Sequence, residues 1–128
     1  MAKLVADAVL DAALQYLEDN VDFISVCEGA PTTYEHAHSN KGTATGKVLA
    51  SSATPTFTGP ADDTSGRKTT IDEEPTITID VSGDADHVAL VDVSMTTLLY
   101  VTTCTLQTLT AANTVTIPAW KITIPDPT

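Results

Sequence analysis

The sequence predicts an α+β protein that is mainly β: an antiparallel β-sandwich or compact barrel with one long N-terminal helix. Three observations lead there. Residues 2–19 contain neither Gly nor Pro and repeat their apolar residues at helical spacing. After residue 20 the period changes to two, and from Thr69 to Ile124 short Thr/Val/Ile runs alternate with turn residues. The chain also holds 23 threonines in 128 residues, and a β-branched polar side chain suits a strand with one wet face. Aromatics are only 5% of the chain, so the core is expected to be aliphatic.

The helix comes first. At about 100° per residue, Asp7, Asp11, Gln15 and Glu18 fall on one polar stripe. Val5, Val9, Ala12 and Tyr16 share one apolar face, and Leu10, Leu14 and Leu17 share another. A helix with two apolar faces must be covered on more than one side. The domain's own sheet supplies one cover; the other comes from a second subunit or from loops of the same chain. Leu10, Leu14 and Leu17 are the candidate subunit-contact residues.

Residues 21–27 read as a first, largely buried strand, broken by Gly29 and Pro31. Residues 32–38 fit a short helical turn with a Thr cap. Residues 47–51 suit a second strand. From 52 to 66 the composition is Ser, Thr, Pro, Gly and Asp, which predicts a long loop with room for a short strand at 56–58. Such loops are often functional, so this one is a candidate contact surface. The acidic run Asp72, Glu73 and Glu74, placed before Pro75, reads as a solvated turn and a second contact candidate.

The β-rich region spans 67–124. Ile77, Ile79 and Val81 alternate with polar residues in a half-buried strand. Residues 87–93 are apolar on both faces and should be central. Residues 97–109 are long enough for one bent strand or two. Val115 and Ile117 lie on odd positions but Trp120, Ile122 and Ile124 on even ones, so the phase slips at Pro118 and Ala119.

At 128 residues the chain is expected to form a single domain. Six basic against seventeen acidic residues give a net charge of −11, with no basic cluster. That balance argues against nucleic-acid and anionic-membrane partners. No apolar run reaches the ~18 residues of a membrane span, and Asp7 and Asp11 interrupt any signal-like segment. Cys27 and Cys104, both in strand contexts, are expected to be buried free thiols.

Motifs with chemistry are incomplete in this sequence. Gly42, Gly46 and Lys47 echo a phosphate loop, but the glycine spacing is one residue short and Val48 replaces the Mg²⁺-binding hydroxyl. His36, His38 and Glu35 lack the paired spacing of a structural zinc site. Asp80, Asp84 and Asp86 are dense enough for calcium, yet Gly83 sits at the wrong position and the closing Glu is missing. No strained Gly-x-Ser-x-Gly turn is present. Neither a cofactor nor catalysis is expected.

The stretches AKLVADAVLDAALQYLEDN, VCEGAPTTYEHA, DDTSGRKTT, HVALVD, LLYVTT and LTAANTVTIPAWKITIPDP, in that order, resemble a known group. They are similar to small structural proteins encoded beside the capsid genes of tailed bacteriophages, of the head decoration or cement type. The resemblance implies a virion protein made in the host cytoplasm and carried on the outer surface of the head. It implies a homo-oligomer, with a trimer favoured, and the major capsid protein as partner. Small phage tail proteins share the composition, and a soluble carbohydrate-binding module is the alternative from another class.

Overall fold

Alternation after residue 20 becomes nine strands among the described residues, all paired antiparallel. The structure is a computed structural model that describes residues 3–42 and 47–128. In chain order the elements are α1 (Asp7–Asn20), β1 (Phe23–Cys27), α2 (Tyr34–Ala37), β2 (Val48–Ala53), β3 (Phe57–Asp62) and β4 (Arg67–Ile71). They continue with β5 (Glu74–Thr78), β6 (Gly83–Asp92), β7 (Thr97–Leu109), β8 (Thr114–Ile117) and β9 (Trp120–Ile124). The fold is thus α+β and mainly β.

The helix is shorter than expected. It starts at Asp7 rather than near residue 2, and Ala6 before it is extended, with φ −67° and ψ 140°. Two causes act together. Lys3 would face the positive end of the helix dipole, whereas Asp7 complements it. Residues before Asp7 also find little to pack on, Leu4 being 92% exposed. At the far end the Val21 N–H donates to the Leu17 carbonyl at 2.9 Å and closes the last turn.

Four strands form one sheet in the order β2-β1-β6-β7. β6 is internal, as its two apolar faces require. Ile24, Val26, Val88 and Leu90 enter one core cluster, whereas Cys27, Ala89 and Val91 enter a second with Ala37 and Val48. The second cluster is roofed by α2, whose cap is the Thr33 hydroxyl accepting from the His36 N–H at 3.2 Å. Residues 97–109 are one strand, bent by irregularities in its pairing with β6.

The remaining strands are grouped as β3-β4-β9 and β5-β8, yet their registers are continuous. Ile71 faces Trp120 and Glu74 faces Ile117, with two residues on each strand between those pairs. The two ladders are therefore one ribbon, bent where Asp72 and Glu73 lie opposite Pro118 and Ala119. Proline cannot donate to the ladder, which accounts for the break. Asp72, Glu73 and Glu74 are consequently a bend within the ribbon rather than a turn.

The expected long loop at 52–66 is also corrected. β2 runs to Ala53 and β3 occupies Phe57–Asp62, paired with β4. Phe57 and Thr58 favour a strand, but the four residues after them have poor β propensity and are held by the tertiary ladder, with a register shift between Thr58 and Ala61 around Gly59 and Pro60. Residues 43–46, the heart of the phosphate-loop-like motif, lie outside the described residues.

Only one of the two thiols is buried. Cys27 is inaccessible and Cys104 is exposed, and both are free. Burial pushes the Cys27 thiol up to about 12, with the charges of Cys104 and Asp86 adding to the effect.

The β6–β7 turn stores strain. Thr96 has φ +49°, a region costly for a β-branched residue, while its N–H closes the turn onto the Val93 carbonyl at 3.2 Å. Thr96→Gly is expected to raise stability by about 1 kcal/mol, read as a higher urea midpoint at unchanged slope. A lower midpoint would show that the turn tolerates the threonine without strain.

Candidate interaction surfaces

The two apolar faces of α1 separate cleanly. Leu10 and Leu14 are buried and Leu17 is half-buried, with Leu14 inside the main core cluster beside Ile71. These three expected contact residues therefore face the chain's own core. The helix is clamped to the face of β4 that carries Arg67 and Thr69. The Arg67 guanidinium donates to Asp11 at 2.7 and 3.1 Å, and the Thr69 hydroxyl donates to Glu18 at 3.1 Å. The face left to solvent is the other one, with Val9 62% and Tyr16 55% exposed and Ala12 exposed between them.

The second and third contact candidates prove to be one surface. Asp72 accepts hydrogen bonds from the Thr56 hydroxyl at 3.0 Å and the Thr58 hydroxyl at 2.8 Å. Glu74 accepts from Ser52 at 3.0 Å, and Glu73 is exposed. The bend in the ribbon thus holds the β2–β3 connection through its Ser and Thr hydroxyls, and the two contact candidates meet. Sequence reasoning found both pieces but not their contact, because residues 16 apart meet only through the ladder.

The metal-like constellations are divided among separate structural tasks. His38 packs edge-on to Phe23 at 4.7 Å and tilted against Tyr34 at 5.3 Å, and burial followed by the Lys41 charge pushes its imidazole pKa down. His36 Nδ1 lies 3.3 Å from the Thr32 hydroxyl. Asp80 pairs with Lys41 at 2.8 Å, Asp84 accepts from Thr108, and Asp86 takes the Gly29 N–H and His87. No group of three His, Cys, Asp or Glu suited to a metal occurs among the described residues.

A cleft of about 850 Å³ opens between β7 and the β8–β9 strands. Its floor is apolar, from Val26, Ile79, Ala85 and Val88, and its walls are largely threonine. Trp120 borders it, tilted on Tyr100 at 5.9 Å, with a buried Nε1 that has no hydrogen-bond partner among the described residues. Sequence reading missed this feature. The available signal was a run of 13 residues, Thr97–Leu109, without a single charge.

Four carboxyls set the acid response, among them Asp86, which its hydrogen bond with His87 and the Gly29 N–H hold below the usual range. Burial pushes the Glu18 carboxyl up, only partly offset by the Thr69 hydroxyl, and the charges of Asp19 and Asp11 add to the rise. Its Oε2 is buried with no partner among the described residues, consistent with a preference for the protonated form. Asp63 is held well below the usual range by Lys121 at 2.8 Å and Thr123 at 2.7 Å. Asp92, 1% exposed, is lowered by the Ser94 hydroxyl at 2.6 Å and, against the cost of burial, by the Met95 N–H.

The signs differ. The Glu18 contribution is present below its ordinary value of 4.5 and lost as pH rises through the raised value. Those of Asp63, Asp86 and Asp92 are present above 3.8 and lost as pH falls through their depressed values. The melting temperature should rise on acidification from neutral to about pH 5 and fall below about pH 4. Glu18→Gln should flatten the first limb and leave the second. An unchanged first limb would show that Glu18 is ionised without cost.

The described residues define a mainly β, antiparallel protein with a helix clamped to its flank. No helix among them is long and apolar enough to cross a membrane. No protein-family model, curated protein or solved structure matches the chain.

Proposed function

We propose that this chain is a structural virion protein of a tailed bacteriophage, a head decoration or cement protein. It binds the outside of the assembled capsid lattice and ties neighbouring major capsid subunits together. The observation that carries the reading is the acidic Asp72–Glu74 bend, held in place by the Ser and Thr hydroxyls in and beside the β2–β3 connection, on a chain of net charge −11. Such a surface complements a basic patch on a capsid and avoids packaged DNA. The ordered stretches that resemble decoration proteins point the same way.

In this reading the three sheets form an open sandwich. The β2-β1-β6-β7 sheet is one layer and the bent ribbon with β3 is the other, since one core cluster draws on both. The protein works as a homo-oligomer, a trimer by preference, at a site that exists only on the assembled shell. In this reading its role is structural, with neither catalysis nor a cofactor called for. A carbohydrate platform is disfavoured because Trp120 and Tyr100 lean on each other, half-buried.

The protein should co-sediment with expanded shells and raise their melting temperature by mass action. Binding should weaken with salt, and Glu73→Lys with Asp72 intact should weaken it further. Equal shell stability with and without the protein would remove the cement function. Sedimentation with tails instead of heads would favour a tail protein.

A further inference from the structure

We infer that the cleft between β7 and β8–β9 is the acceptor for an extended strand, supplied by the segment before α1 of a second copy. β7 is the outer strand of its sheet, and β8 and β9 are outer strands of theirs, so backbone donors and acceptors face the cleft from both sides. Natural edge strands are guarded by charges, Pro or covering elements. β7 has neither a charge nor a proline in 13 residues, and Leu106 on it is 62% exposed. An added strand would supply the missing backbone partners.

The occupant is written in the same chain. Residues 3–6 precede the helix without joining it, and Ala6 is already in strand-like conformation. Leu4 is 92% exposed, the most exposed large apolar side chain among the described residues, while Val5 beside it is half-buried. Period-two geometry lets Leu4 point onto the apolar floor at Val26, Ala85 and Val88 of a neighbour. Charge agrees: Lys3 is the only ionised side chain from residue 3 to 6, the body is acidic, and Asp84 stands beside Thr108 at the end of β7. Donor and acceptor lie on different surfaces, so the contact is heterologous and closes a ring when the rotation allows.

This inference does not depend on what the assembly binds. Its test uses Cys104, which lines the cleft and is exposed, whereas Cys27 is buried. Under mild oxidation Leu4→Cys should form disulfide-linked chains on non-reducing gels, and adding Cys104→Ser should abolish them. Leu4→Asp, at a position too exposed to affect folding, should weaken association at least roughly tenfold at unchanged melting temperature. A linkage confined to single chains, a purified protein that is monomeric, or an assembly mass untouched by Leu4→Asp would each overturn the exchange.

Discussion

Replacing Gly66 by alanine is expected to lower the melting temperature by roughly 10 °C, corresponding to about 3 kcal/mol. Gly66 has φ +75°, which an L side chain rarely adopts. A methyl group there would collide with the Ile124 carbonyl oxygen and with the Pro125 backbone, neither of which is a flexible side-chain end. The close approach is built by the β3–β4 turn folding onto the end of β9. The Asp63 N–H donates to the Gly66 carbonyl at 3.1 Å, and the Gly66 N–H donates to Asp126 at 3.1 Å. Asp63 in turn holds Lys121 and Thr123, so shifting the turn disturbs several polar contacts at once. Calorimetry of the variant checks this, and a melting temperature within about 2 °C of wild type would mean the C-terminal strand yields freely.

Truncating Leu14 to alanine should cost about 3 kcal/mol, because the side chain is fully buried and its removal leaves a cavity. Tyr16→Asp, on the exposed face two residues away, should change stability by less than about 0.5 kcal/mol. Urea titration of both variants separates the two faces of α1. Equal midpoints for Leu14→Ala and wild type would rule out the packing of this helix on the core. Leu14→Asp would bury a charge without a partner and unfold the chain, so lost association in that variant would report unfolding rather than a subunit contact. Tyr16→Asp leaves the fold intact, and a fall in its assembly mass would mark the outer helix face as a contact.

Much of the fold was legible in local pattern. The switch from helical to alternating period near residue 20, the Thr-capped turn at 34–37 and the central character of β6 all follow from spacing and propensity. The phase slip at Pro118 and Ala119 correctly marked a break, because a missing donor and a parity change are properties of the chain itself. Periodicity could also divide α1 into two apolar faces, but it could not say which one the core would take. That choice depends on where β4 lies, which is fixed by β9, some 50 residues further on. The same reason shortened β3: residues 56–58 read as a short strand, Gly59 and Pro60 read as loop, and only the ladder to β4 carries the strand on to Asp62.

The sequence alone determined composition, charge, the alternation of strands and the approximate places where they turn. Tertiary structure decided that Leu10, Leu14 and Leu17 point inward and that Asp72 and Glu74 grip the β2–β3 connection. It also decided that Cys104 is exposed beside a cleft between uncovered strand edges. Local signals act over a few residues through backbone torsion and side-chain period. Faces, edges and clefts arise only when segments distant in the chain compete to remove the same apolar surface from water.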